Sequence, residues 1–103
     1  MNNFGYVLAP KVLVANKLKV QFMYREKPDN ANDSGWRVFS GDEDQEYVDN
    51  PNNIDIYDIE TILAIDNDIE KHLLSPIGSA FEREDANSEF VASNFDFGSS
   101  TNE

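Results

Sequence analysis

The chain has 103 residues, no cysteine, and twenty acidic against eight basic side chains, a formal net charge of −12. Such a length suits one domain that buries roughly two thirds of the surface its unfolded chain exposes, and the lack of cysteine excludes disulfides, thiolate catalysis and cysteine-ligated zinc. The acidity sets nucleic acid and membrane lipid aside as direct partners and favours a basic protein, although it also serves plain solubility.

The charge is uneven. Residues 1–27 hold five basic side chains (Lys11, Lys17, Lys19, Arg25 and Lys27) and one acid, Glu26, while the rest of the chain holds three basic and nineteen acidic ones. The start, Met1-Asn2-Asn3-Phe4-Gly5, shows no basic segment leading into an apolar one, and no apolar run is long enough to span a bilayer. The expected location is the cytoplasm.

Phe4 to Ala9 and Val12 to Ala15 are short apolar runs broken by Pro10, expected as strand segments with a break or edge at the proline. From Lys17 to Glu26 the pattern has period two, placing Leu18, Val20, Phe22 and Tyr24 on an inner face and Lys19, Gln21, Met23 and Arg25 on an outer one. Met23 interrupts the polar side, a hint of a second covering layer. Pro28 to Gly35 is turn chemistry and joins this strand to Trp36-Arg37-Val38-Phe39, most simply as an antiparallel pair. Asn30, Asn32, Ser34 and Gly35 fall in an EF-hand-like register. Gly41 stands where the bidentate Glu is required and no helix precedes, so calcium is rejected.

After Gly41 the chain changes character. Asp42 with Gln45 three residues later reads as a variant capping box, with Glu43 and Asp44 at the positive end of a helix dipole. That helix is short, because Asp49-Asn50-Pro51-Asn52-Asn53 is a turn. Ile54 and Ile56 are extended; a helix capped by Asp58 then carries Ile59, Ile62 and Leu63 on one stripe. A further helix starts at Asp66-Asn67-Asp68, turns Ile69, Leu73 and Leu74 inward, and stops at Pro76 and Gly78. Gly78 to Glu84 is a strand anchored by Phe81, and Glu89 to Ala92 a last strand pairing back on it. Residues 1–93 are expected as one domain and 94–103 as a flexible polar tail that carries Phe95 and Phe97.

The chain offers little for catalysis. His72 is the sole imidazole and sits where a helix dipole favours a surface cation. No nucleophile-elbow, phosphate-loop or dinucleotide pattern occurs. Carboxylate pairs around Asp42, Glu43 and Glu46 are equally explained as cap and solvated helix face. No enzyme activity, cofactor or metal is expected. Trp36, Arg37 and Tyr47 beside Asp42, Glu43, Asp44 and Glu46 instead combine aromatic and Arg anchors with steering charge, the composition of a protein interface. Trp36 can equally be core.

Met23-Tyr24-Arg25-Glu26, Asp33-Ser34-Gly35-Trp36-Arg37, Gly41-Asp42-Glu43, Tyr47, the isoleucine-rich segment from Asn53 to Asp66, and Gly78-Ser79-Ala80-Phe81-Glu82-Arg83 together resemble the immunity protein 33-like domain family of bacteria over about residues 12–84. Asn67 stands where the family pattern suggests proline. The resemblance implies a protein that binds a cognate toxin and blocks it without chemistry of its own; Asp33, Ser34, Trp36, Arg37, Asp42, Glu43 and Tyr47 match the pattern, as an interface or as the fold itself.

The expected architecture is therefore α+β, an antiparallel sheet of about four to five strands with two or three short helices packed on one side. The expected function is toxin neutralisation through protein binding by Trp36, Arg37, Asp42, Glu43, Asp44, Glu46 and Tyr47. The alternative is a regulatory or scaffold domain with no toxin partner.

Overall fold

A computed structural model of the chain describes residues 5–41, 43–85 and 87–93. Its centre is a six-stranded sheet: β1 (Tyr6–Pro10), β2 (Phe22–Arg25), β3 (Asp33–Phe39), β4 (Ile54–Asp58), β5 (Ala80–Glu82) and β6 (Val91–Ala92), in the spatial order β4-β1-β3-β2-β5-β6. Helices α1 (Lys11–Ala15), α2 (Gln45–Asp49) and α3 (Ile59–Ile65) and the 3₁₀ segments Pro51–Asn53 and Asn67–His72 complete it. The α+β class is as expected, but the sheet has six strands and is mixed: β1 runs parallel to β3, and the other neighbours are antiparallel. Among the described residues no helix is long and apolar enough to cross a membrane.

The parallel pair follows from what happens at Pro10. Val12 to Ala15 is not strand but α1, so the chain leaves the sheet directly after β1. Pro10 supplies the extended residue before the helix, at φ −63° and ψ 139°, a φ its ring fixes. β2 then returns two places across, and β3 fills the gap. The gap is closed at its start by Tyr6 N–H donating to Asn32 O at 2.8 Å and Ser34 Oγ–H donating to Tyr6 O at 2.6 Å. Gly35 sits in this entry at φ +89°, where an added Cβ would collide with the Glu26 carbonyl oxygen; the position therefore requires glycine.

One face of the sheet holds the core. Val7, Ala9, Met23, Trp36 and Val38 project from the strands against Leu13 of α1, Ile59 and Ile62 of α3, and Ile69 and Leu73 from the second 3₁₀ segment and its end. In β2 the core-facing residue is Met23, fully buried, and Phe22 and Tyr24 stand half-buried on the other face. That reverses the expected faces of this strand. The cause lies at Val20, whose N–H is donated to Asp66 Oδ2 at 2.9 Å and whose carbonyl accepts from Arg83 Nε at 2.8 Å. With both backbone groups taken by a buried Asp66–Arg83 ion pair, Val20 stays outside the ladder. Strand alternation restarts at Phe22, so Val20 and Met23 both face inward. Leu74, expected inward, is 82 % exposed, since the 3₁₀ segment ends at His72 and only Ile69 and Leu73 reach the core.

Candidate functional site: the α2 segment and its two grooves

α2 rests on a capping arrangement different from the expected one. Asp44 is the N-cap, its Oδ1 accepting the Tyr47 N–H at 2.8 Å; Gln45 donates its side-chain amide to Asp49 Oδ1 at 2.8 Å instead of reaching back. Asp42 lies outside the described residues. Glu43 also serves the turn: Oε2 accepts from Ser40 N at 3.0 Å and Ser40 Oγ at 2.7 Å, and Oε1 accepts from Gly41 N at 3.1 Å. Three donors on one carboxylate fix the direction in which the chain leaves β3.

Tyr47 ties α2 to α1, its hydroxyl accepting the Val12 N–H at 3.3 Å. A cleft of about 440 Å³ opens between the two helices, lined by Val12, Asn16 and Leu18 on one wall and Glu43, Asp44 and Tyr47 on the other. Toward β2 and β3, Phe22, Tyr24, Phe39, Gly41, Glu43, Gln45 and Val48 line a groove of about 340 Å³ along the outer sheet face. Tyr24 and Phe39 stack there, ring centroids 6.2 Å apart and planes 16° from parallel. Glu43 borders both hollows, Asp44 lines the cleft, and Glu46 is exposed on α2. Chemically this is a short acidic ridge flanked by two partly apolar hollows, a shape suited to receiving side chains of another protein.

Trp36 and Arg37 are not on this ridge. Trp36 is fully buried and donates its indole N–H to Leu73 O at 3.1 Å, with Phe81 at 6.4 Å between ring centroids. Arg37 is 3 % exposed and forms a bidentate pair with Asp33, Nη1 to Oδ1 and Nη2 to Oδ2 both at 2.9 Å, while Nε donates to Glu26 Oε2 at 2.6 Å. The Arg37 hydrogen bonds hold the Asp33 carboxyl at a pKa of about 2, against the opposing effect of burial, helped by the Asp29 and Gly35 N–H groups. The structure thus brings Glu43, Asp44, Glu46 and Tyr47 together and gives Trp36 and Arg37 to the interior. Besides Tyr47, the aromatic residues beside the acids are Phe22, Tyr24 and Phe39, which line the groove with Glu43; Phe39 is three positions from Trp36 and so lies on the other face of the strand. Met23 among polar neighbours was the sequence sign that Phe22 and Tyr24 face the other way.

His72 also departs from expectation. It is half-buried between Phe81 and Phe90, at 4.4 and 5.5 Å between ring centroids, and its buried Nε2 finds no hydrogen-bond partner among the described residues. Burial lowers its pKa from 6.5, with Lys71 adding to the effect and Glu89 opposing it. The unfolded chain therefore takes up the proton first as pH falls. The contribution is complete above the ordinary value and declines as pH drops through about 6.5 toward the lower folded value. Urea midpoints at pH 7.5 and 5.5 should fall more for the natural chain than for His72→Phe; equal slopes would remove His72 from the acid response.

The immunity protein Imm33 domain model matches residues 7–94. The chain belongs to the Imm33 immunity protein domain family. Apart from Tyr6 of β1, the match takes in the six strands and the α2 segment, and so reaches past the Glu84 boundary of the resemblance read from sequence. No curated protein and no solved structure matches the chain. For this Imm33 chain, the family supports a role in immunity, and a protein toxin is the kind of partner the family name implies. Imm33 membership and the α2 ridge thus rest on independent grounds, one on sequence likeness and the other on geometry.

Proposed function

We propose that this chain neutralises a bacterial toxin by direct, stoichiometric binding in the cytoplasm, with the acidic ridge from Glu43 to Asp49 meeting a basic surface. The observation that carries the proposal is the placement of Glu43 and Asp44 on the walls of two side-chain-sized hollows, with Glu46 exposed on α2, in a chain of net charge −12. Neutralisation of this kind needs occupation of the toxin's surface and no chemistry by the inhibitor. Tyr47 contributes by holding α2 against α1; Trp36 and Arg37 contribute by holding the sheet from which the ridge projects.

Glu43 and Asp44 also build the turn and the cap, so the clean test keeps an acceptor at the cap. Asp44→Asn with Glu46→Lys and Asp49→Lys should fold normally, weaken toxin binding by about tenfold or more at low salt, and flatten its salt dependence. Titration calorimetry at two salt concentrations reads both effects. Unchanged affinity would take the ridge out of the interface.

A further inference from the structure

β4 forms one margin of the sheet. It pairs along all five residues with β1, from Tyr6 with Asp58 to Pro10 with Ile54, and among the described residues no strand lies on its other side. The opposite margin, β6, is only two residues long.

The outward backbone of β4 can be assigned. The Ile56 N–H is donated to Asp55 Oδ1 at 2.8 Å, so it points away from Leu8, its partner on β1. In an antiparallel ladder the N–H and C=O of one residue point to the same side. Ile56 therefore presents a donor and an acceptor outward. The Ile54 N–H, by contrast, closes the preceding 3₁₀ turn on Pro51 O. Natural sheets protect long edges with lysine, proline, bulges or a covering element. The Ile56 donor has only the carboxylate of its neighbour, which an incoming carbonyl can displace.

The side chains select the occupant. Ile56 is 54 % exposed on the outer sheet face. Asp55, Asp58 and Glu60, along the strand and at the start of α3, are exposed. Two copies of this edge placed side by side would bring two acidic margins together, which opposes self-pairing. A basic strand meets no such penalty.

We propose that β4 is a strand-addition edge that takes an extended basic segment of a protein partner, exchanging two backbone hydrogen bonds with Ile56 and placing Lys or Arg opposite Asp55 and Asp58. For the identity of its natural partner the inference rests on the immunity role proposed above; the chemistry of the edge does not depend on it.

The probe is a short acetylated valine peptide with two lysines three positions apart, the spacing of Asp55 and Asp58, added to the full isotope-labelled chain. Hydrogen exchange at the Ile56 amide should slow by at least about tenfold, and a glutamate–valine peptide should have no such effect. Ile56→Pro removes the outward donor and spares the β1 ladder, so it should abolish the peptide-induced shifts of the neighbouring β4 and β1 amide resonances; Asp55→Lys with Asp58→Lys, which leaves the backbone donor in place, should abolish the protection of the Ile56 amide if the proline variant is unfolded. No protection at millimolar peptide, or equal binding by folded Ile56→Pro, would overturn the edge. A toxin held as tightly by folded Ile56→Pro would also overturn it while leaving the immunity role intact. Peptide addition by a chain that has no toxin partner would support the edge and sink only the immunity role.

Discussion

Trp36→Ala should lower stability by about 3–5 kcal/mol, the range for emptying the site of a buried tryptophan. Its ring is fully buried where β3 meets the 3₁₀ segment and β5, and its indole N–H reaches Leu73 O at 3.1 Å. Truncation leaves that buried carbonyl without its donor, which adds about 1–3 kcal/mol where water cannot enter. Since domains of this size have about 5–15 kcal/mol in total, the variant should be mostly unfolded or close to its midpoint without denaturant. Circular dichroism through a urea titration is the suitable readout, because the substitution removes the only tryptophan. Trp36→Phe retains most of the packing and loses the hydrogen bond, so its loss should be clearly smaller. An alanine variant as stable as the natural chain would mean that Trp36 does not hold the 3₁₀ segment to the sheet.

Arg37→Met should cost a similar amount, about 3–5 kcal/mol, for a different reason. Methionine fills much of the space, but Asp33, 5 % exposed, loses both hydrogen bonds from the guanidinium, and Glu26 loses its partner. A carboxylate in that position is expensive without a cation. Adding Asp33→Asn to Arg37→Met should recover part of the loss, since it removes the buried charge; an additive further loss would contradict the assignment. The acid response gives a second check. Asp33 has its folded pKa lowered from 3.8 to about 2, so its contribution is complete well above pH 3.8 and is lost as pH falls through that range toward 2. Its size is at most about 2 kcal/mol. Without Arg37 the Asp33 carboxyl should titrate higher, and this part of the acid destabilisation should vanish or reverse sign.

These two residues also show where sequence was informative. The Trp36 to Phe39 run and the turn before it predicted an antiparallel pair with the preceding strand, and the register Phe22 with Phe39 through Arg25 with Trp36 bears that out. The short helix after Gly41, the extended stretch from Ile54, the helix from Ile59 and the return of the last two strands were equally legible, because turn residues and apolar spacing are local signals. The failures are non-local. Nothing near Tyr6 announces that Asn32 and Ser34 will bond to it, so the parallel pair was invisible. Asp66 and Arg83 are seventeen positions apart, the first read as part of a helix start and the second as part of a strand, yet their buried pair takes both backbone groups of Val20 and resets the face of β2.

At the α2 ridge the acids were found by composition, but their division of labour was not. Asp44 supplies the cap, and the Glu43 carboxylate is folded onto Ser40 and Gly41. Capping motifs with acids at three successive positions cannot be ordered from sequence, since each has a carboxylate able to accept a backbone N–H. Trp36 was weighed both as anchor and as core; zero exposure gives it to the core. Asp42, Phe95 and Phe97 lie outside the described residues.

The most direct measurement is affinity capture from the native cell with this chain as bait, at low and at moderate salt, with bound proteins identified by mass and then expressed with and without it. Binding to a toxin predicts one stoichiometric basic partner, held more weakly at moderate salt, that arrests growth when expressed alone and is tolerated when this chain is present. No stoichiometric partner at either salt, or a partner whose toxicity this chain leaves unchanged, would contradict neutralisation by direct binding.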